Sequence, residues 1–553
     1  MTPVVDTPAG PVPIAPSPAL PPSGRHQRLL TGSVFFAAFA LLFIVQGHIF
    51  VPSFDEGLNL EGATRLLDGQ RPYVDFFGHA SPGAYLYQAL VFRIAGRSIW
   101  SGRVLVLLYQ SAQIALLFWL VSRFASTKAA WCTTFIYTLI ETADPVQLSA
   151  HHRWDSSTLS FLSIAMALAG IRKNEAGKDR GWVWWSIAGL IGIGAVLATP
   201  TAGLMLGATA IWLLCTKRIT PAIALTSGAA AGLSALLIWM ISNDLLTAGR
   251  FGGYFGFFRF MAANYAEANS TYFGFVQGGW FGLFEGAGFA DMLVRAPIVL
   301  CLSLPALAPL LAVALWSWWT ARDGAAPAFP LPKSTAWYLV ACQIAMILYP
   351  FPRADLQHLH YTAAFAYGLA AIWVAHNLPA KASGLIAMFF MFWSLAFLYQ
   401  RAATNLNAKQ FDTPIGPVMV CGLHQPDVRL LLDNVHPGDT LFVYPFMPTL
   451  TFLTQAKNPT AFTFIQPGMM KEPEANALLD DLKRTKPHWI VWFPWTRQDF
   501  VRIFPGAKNL PHDYPRIQSW VEANYTKKAW SPGLKFDLLE LRTSPGQPAL
   551  KLP

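Results

Sequence analysis

Long apolar runs, separated by short polar stretches, dominate residues 30–400. A helix needs about 20 mostly apolar residues to cross the hydrocarbon of a bilayer, and eleven runs are near that length. They cover residues 30–51, 103–122, 129–148, 156–171, 182–198, 200–215, 221–241, 296–318, 336–350, 359–376 and 383–400. The pattern predicts a polytopic α-helical membrane protein with about 11 transmembrane helices.

Composition agrees with this prediction. The 553 residues are 54% hydrophobic and only 13% charged, whereas a soluble domain is about 25% charged. The formal net charge is +10, but the basic residues are spread over short loops instead of one face, so nucleic acid is not an expected partner. Residues 1–24 hold eight prolines and no apolar period, and we expect a disordered, proline-rich cytoplasmic tail over residues 1–28.

Loop charge predicts one orientation for the whole chain. Arg25 and Arg28 precede the first run, and basic residues follow each even-numbered run. They are Arg123 and Lys128, four residues between 172 and 180, Lys217 and Arg218, Arg322 and Lys333, and Lys381. By the positive-inside rule these loops and the N-terminus are cytoplasmic. The external loops 52–102 and 242–295 then face the other side, which is the periplasm or cell exterior in a bacterium and a lumen in a eukaryote. We expect the bacterial case, at the outer face of the cytoplasmic (inner) membrane.

Residues 402–553 follow the transmembrane region 29–401 and form the third predicted part, a small periplasmic or extracellular α/β domain. Short apolar segments predict strands near 440–444, 489–492 and 536–541, and amphipathic patterns predict helices near 475–486 and 517–526. This region contains no glycine-rich phosphate loop and no nucleophile elbow, so no chemistry of its own is assigned to it.

The first polar cluster lies in the first external loop. Asp55 and Glu56 stand where a helical apolar pattern begins, and a helix N-terminus stabilises carboxylates. Helix capping is therefore one explanation, and a general base or a metal-binding carboxylate is the other. Capping does not explain Asp75 and His79 in the same loop, which we predict to contact substrate. Nothing in the spacing specifies a metal, and a divalent cation stays open.

The second cluster lies between the third and fourth runs, where Asp144 is followed by His151-His152-Arg153-Trp154-Asp155. Adjacent histidines point in different directions and lack the i, i+4 spacing of a chelating pair. Arg153 is suited to an anion, and Asp155 to orienting Arg153 or the substrate. Anchoring of His, Arg and Trp at the membrane interface is the alternative.

The third cluster lies between the ninth and tenth runs. Two prolines hold a shaped loop that contains Arg353, Asp355 and His358. Arg353 offers a forked donor for phosphate oxygens, Asp355 can fix that fork, and His358 can donate a hydrogen bond or move a proton. A purely structural Arg–Asp pair with a nearby histidine is the alternative. With all three clusters on the outer side, a lipid-linked phosphate substrate fits the arrangement.

The residues of the first loop resemble a known family. Asp55-Glu56, the run from Leu67 to Phe76 and the Pro82-Gly83 turn are similar to the integral-membrane GT-C glycosyltransferases. The resemblance is to the family 39-like group, the bacterial relatives of the protein O-mannosyltransferases and of the aminoarabinose lipid A transferase. It extends over residues 30–400, with weaker agreement at the Arg353 loop.

This resemblance implies a membrane hexosyl- or pentosyltransferase of the cell envelope with a periplasmic active site. It implies a polyprenyl-phosphate-linked sugar donor, an acceptor glycan, lipid or protein, and inversion at the anomeric carbon. The acidic residue after the first span is then catalytic, which matches Asp55, and Glu56 matches the second member of the pair. We expect Asp55 to act as general base, while Arg353, helped by Arg153 or His358, holds the leaving phosphate.

Two other classes of protein compete with this interpretation. A transporter or flippase for lipids or lipid-linked sugars would need polar residues at mid-membrane depth and repeated halves, and the sequence shows no repeat. A non-enzymatic assembly scaffold would use the external C-terminal region and would tolerate changes at Asp55 and Arg353.

Overall fold

The computed structural model describes residues 24–143, 149–175, 181–269, 333–350, 356–405, 407–466, 468–510, 514–543, 550 and 552. The helices before residue 406 are α1 Arg25–Gln46, α2 Phe54–Leu67, α3 Pro82–Ala95, α4 Ile99–Phe124, α5 Thr127–Ala143, α6 His152–Glu175, α7 Gly181–Ala198, α8 Gly203–Cys215, α9 Ile219–Ser242, α10 Gly253–Phe260, α11 Ala266–Asn269, α12 Lys333–Leu348, α13 Leu356–His360, α14 Ala363–Asn377 and α15 Ala380–Asn405. A short 3-10 turn, Pro200–Ala202, precedes α8.

Helices occupy ten of the predicted apolar runs, and the run 296–318 lies outside the described residues. Within the described ranges, five helices are long and apolar enough to cross a membrane, and four further apolar helices are shorter. The first run was misplaced: its helix spans Arg25–Gln46 instead of 30–51. Residues 25–28 are therefore helical and not part of a tail, and the chain leaves the helix at Gly47.

The apolar faces of α4, α5, α6 and α14 pack into one core. Phe118, Tyr137, Phe161 and Phe365 are all buried in it. In a bilayer such packing relies on close contact between side chains, because lipid is as apolar as the helices themselves.

Two small sheets are built mainly by the chain that follows α15. The strands are β1 Ile49–Phe50, β2 Lys409–Thr413, β3 Gly416–Val420, β4 Leu441–Tyr444, β5 Trp489–Trp492, β6 Tyr525–Ser531 and β7 Phe536–Leu541. The helices are α16 Gln425–Asn434, α17 Thr449–Thr454, α18 Glu472–Thr485, α19 Arg497–Ile503 and α20 Pro515–Asn524. The three predicted strands and the two predicted helices are present, and α15 runs past the predicted boundary at 402. The prediction missed strands β1, β2, β3 and β6 and helices α16, α17 and α19.

The sheet topology joins the two halves of the chain. One sheet has the order β1-β3-β2 and the other β4-β5-β7-β6. Strand β1 pairs in parallel with β3, with Ile49 opposite Met419 and Phe50 opposite Val420. The segment after the first membrane helix is therefore an edge of a sheet that the C-terminal region builds.

Helix α2 lies between the membrane helices and the C-terminal region. A Cβ on Gly57 would stand 2.1 Å from the backbone nitrogen of Thr449, so only glycine permits this approach. The Thr449 hydroxyl donates to the Ser53 carbonyl at 2.9 Å. Arg65 donates to the Thr460 carbonyl at 3.0 Å. The C-terminal region therefore packs directly against α2.

Candidate active site

Three distant segments meet at the N-terminal end of α2. Asp55 is in the first turn of that helix, and its Oδ2 lies 3.6 Å from Nε2 of His151, just before α6. The ring of His151 stacks on Tyr361 with centroids 4.8 Å apart, and the ring of His358 stands edge-on to it at 6.3 Å. The structure thus brings together Asp55 of the first polar cluster, His151 of the second and His358 of the third.

The hydrogen bonds of His151 fix which ring nitrogen faces Asp55. The backbone N–H of Arg153 donates to Nδ1 of His151 at 3.0 Å. With that lone pair occupied, the proton of the neutral ring lies on Nε2, the atom that faces the carboxylate. His151 can therefore orient Asp55, but it has no free lone pair with which to act as a base itself.

Asp55 remains an ionised and reachable carboxylate. Burial by itself would raise the pKa of the Asp55 carboxyl, but the imidazoles of His151, His358 and His152 outweigh burial and hold this pKa well below its usual range. The side chain is 36% exposed. One carboxylate oxygen faces His151, which leaves the other for a substrate hydroxyl.

Glu56 has a different environment from its neighbour. Its side chain is 1% exposed, as is that of Arg103 in α4, and Nη2 of Arg103 donates to Oε2 at 2.9 Å. Arg103 also donates to the Ile49 carbonyl at 2.7 Å. Both carboxylates were candidates for helix capping, yet Glu56 bonds α4 and Asp55 contacts His151. Glu56 fixes the angle of α2 against the membrane helices.

Arg153 offers buried donors at this site. Its side chain is buried, and Nε and Nη1 have no hydrogen-bond partner among the described residues. Nη2 donates weakly to the Pro350 carbonyl at 3.4 Å, and the guanidinium stands 5.6 Å from the centre of the Tyr349 ring. An unpaired buried guanidinium is costly, so an anion is the expected complement.

His79 lies beside the same carboxylate. Its ring is close to those of Phe54, Tyr265 and Phe464, and its buried Nδ1 has no partner within the described part of the chain. Burial lowers the pKa of His79 to about 4, although the Asp55 charge opposes this effect. The ring is therefore neutral at physiological pH and can bond a neutral sugar hydroxyl.

The remaining predicted site residues either do not contact Asp55 or lie outside the described residues. Asp75 is exposed and pairs with Arg71 at 3.2 Å, and Asp155 is buried in the first turn of α6. Arg353, Asp355 and Asp144 lie outside the described residues. Across the described ranges, no group of three or more His, Cys, Asp or Glu side chains is arranged to hold a metal ion.

Sequence reasoning missed three residues of this arrangement. His151 was visible in a polar run, but its contact with Asp55 depends on how the segments meet. Arg103 looked like the start of a membrane span, and Tyr361 looked like part of an apolar one. An arginine at the edge of an apolar run is a signal for a buried partner, since an unpaired charge there is costly.

Comparison with known proteins supports the fold. No family model matches the sequence, and no curated protein matches it. The crystal structure of ArnT from Cupriavidus metallidurans bound to undecaprenyl phosphate aligns with 95% of this chain and 100% of that one, at 12% identity and a TM-score of 0.53.

Two further structures show weaker likeness. The archaeal oligosaccharyltransferase AglB from Archaeoglobus fulgidus, in complex with an inhibitory peptide and a dolichol-phosphate, aligns with 95% of this chain and 75% of its own, at 10% identity and a TM-score of 0.47. Arabinosyltransferase EmbB from Mycobacterium smegmatis aligns with 70% of this chain and 34% of its own, at 14% identity and a TM-score of 0.43. The likeness to ArnT shows a fold of the GT-C type, as the sequence resemblance predicted. The apolar helices have the length and composition of membrane spans.

Proposed function

We propose that the protein is a glycosyltransferase that moves a sugar from a polyprenyl-phosphate donor to an acceptor hydroxyl. One observation supports this best: within a GT-C fold, the partly exposed Asp55 carboxylate stands beside His151. Two residues further along, Nε and Nη1 of Arg153 have no hydrogen-bond partner in the part of the chain that the structure describes. ArnT, which shares the fold, was solved with undecaprenyl phosphate. We place the reaction at the outer face of a bacterial inner membrane, from the loop charges.

In the proposed step the acceptor oxygen attacks the anomeric carbon from the face opposite the phosphate. The bond from that carbon to the phosphate oxygen breaks, and the sugar inverts. The acceptor hydroxyl loses its proton to the free oxygen of Asp55. A carboxylate with a lowered pKa suffices here, because the hydroxyl becomes strongly acidic as its oxygen bonds the carbon. His151 keeps the carboxylate oriented throughout.

The leaving polyprenyl phosphate takes up negative charge as the bond breaks. Buried cationic donors aimed at that charge stabilise the transition state more than solvated ones do. Nε and Nη1 of Arg153 are suited to this role. Arg353, which lies outside the described residues, is proposed from the sequence alone as a second contact to the same phosphate. Glu56 is proposed as a positioning residue and not a proton carrier, since both its oxygens face donors.

The transfer itself is tested with purified protein in nanodiscs. Undecaprenyl-phosphate-linked sugars are supplied one at a time with membrane extract as acceptor, and free undecaprenyl phosphate is measured by mass spectrometry. We expect release with at least one sugar. Movement of the intact donor across liposomes without release of the phosphate would instead favour a transporter.

The proposed contact of Arg153 with the phosphate gives a prediction about the binding of undecaprenyl phosphate. Arg153→Gln should weaken the binding of undecaprenyl phosphate by about 10- to 100-fold, because a hydrogen bond to a charged group contributes about 1.5–3 kcal/mol. Native mass spectrometry or a lipid titration measures the change. Arg97→Gln is the matched control, since Arg97 forms an exposed pair with Asp68. Equal affinities of the two variants would contradict the assignment.

The lowered pKa of Asp55 gives a prediction about pH. His151→Gln removes the largest influence that lowers this pKa and leaves burial, which raises it. A smaller fraction of Asp55 is then ionised at a given acidic pH, so the acid limb of kcat/KM should move to higher pH. An unchanged acid limb in this variant would show that His151 does not set the state of the base.

A further inference from the structure

Glu141 is a buried acidic residue that takes no part in the proposed chemistry. Glu141 is near the end of α5, and its Oε1 lies 2.8 Å from Nε2 of His360, with both side chains at most 2% exposed. The two atoms are in close contact, but the angles are not those of a hydrogen bond. Nε2 of Gln110 is 3.5 Å from the other carboxylate oxygen. An ionisable side chain buried this deeply in a membrane protein is costly and usually has a function.

The pair is connected to the site through a single short turn. His360 ends α13, and Tyr361 is the next residue. Tyr361 stacks on His151, and His358 from the same helix faces that imidazole. Trp154 stands edge-on to both His360 and Tyr361, at 6.1 and 5.0 Å. The segment that supports His151 is thus attached to α5 at His360.

We infer that Glu141 is a positioning residue: through His360 it holds the 358–361 turn, and thereby Tyr361 and His358, against His151 beside Asp55. The inference rests on the proposed function for its effect on rate. A helix of five residues has little stability of its own, so α13 depends on such an anchor. Small displacements of a catalytic group are expensive, about 100-fold for 1 Å.

The first test compares two substitutions at one position. Glu141→Ala should lower kcat by about 10- to 100-fold with KM for the lipid-linked donor changed less than threefold, because Arg153 is not displaced. Glu141→Gln keeps an oxygen in reach of His360 and should retain most of the rate. Thr134→Ala is the control, since Thr134 is a buried polar residue of the same helix. Equal losses in the Ala and Gln variants would overturn a positioning role.

The second test needs no activity. Hydrogen–deuterium exchange in Glu141→Ala should rise at least tenfold in peptides covering residues 356–362 and 149–154, and should not rise in the Thr134→Ala control. Unchanged exchange there overturns the inference whatever the rate does. Increased exchange without sugar transfer by the wild-type protein would leave the anchor intact and reject the proposed function. If Glu141→Ala does not fold, His360→Asn provides the same comparison.

Discussion

Asp55→Asn is expected to lower the rate of sugar transfer by about 10²–10⁴-fold, the usual loss when a general base is removed. The amide keeps the shape of the carboxylate and can still contact Nε2 of His151 after rotation, but it cannot accept the acceptor's proton. The loss should appear in kcat, while binding of undecaprenyl phosphate stays within about threefold of wild type, since Arg153 is unchanged. Single-turnover release of undecaprenyl phosphate measures the chemical step.

The control for this experiment is Asp68→Asn. Asp68 caps the other end of the same helix and pairs with Arg97 at the surface. The Asp68→Asn variant should transfer sugar at the wild-type rate. A rate near wild type in Asp55→Asn would reject the base assignment, and the scaffold interpretation predicts that outcome.

Loss of one partner of the Glu56–Arg103 pair should be the most destabilising change. Glu56→Ala leaves a guanidinium uncompensated in a site where both side chains are 1% exposed, and breaking a buried ion pair from one side costs about 3–5 kcal/mol. Denaturant unfolding in detergent measures the free energy. Replacing both partners with Met should recover much of the loss, because no unpaired charge then remains.

The surface pair of Asp68 and Arg97 is the comparison here as well. Asp68→Ala should change the free energy of unfolding by less than about 1 kcal/mol, as exposed pairs do. Equal destabilisation by Glu56→Ala and Asp68→Ala would show that Glu56 is not a structural anchor, and would return it to the candidates for catalysis.

Local patterns predicted much of the fold. The strands at 489–492 and 536–541 were located to the residue. A short apolar segment that is rich in residues favouring strands and lies between turns is a strong local signal for a strand. The helix starting at Asp55 was also expected. Helices occupy ten of the predicted apolar runs. Such runs are recognisable in sequence because the thickness of the bilayer sets the length of an apolar helix.

Contacts between distant segments could not be predicted in this way. The pairing of Ile49 with Met419 joins the ends of the membrane region in a short parallel ladder, and no local signal specifies it. Asp55 and Glu56 are adjacent and look alike in sequence. In the structure, however, Glu56 forms an ion pair with Arg103, and Asp55 contacts His151. The environment of each carboxylate is set by neighbours 47 or more positions away.

The close approach at Gly57 has a consequence for protein engineering. Because the backbone at Thr449 touches this glycine, the segment that presents the base and the C-terminal region form a single mechanical unit. A chimera that exchanges the C-terminal region must therefore also exchange residues 53–65, because these residues contact its backbone.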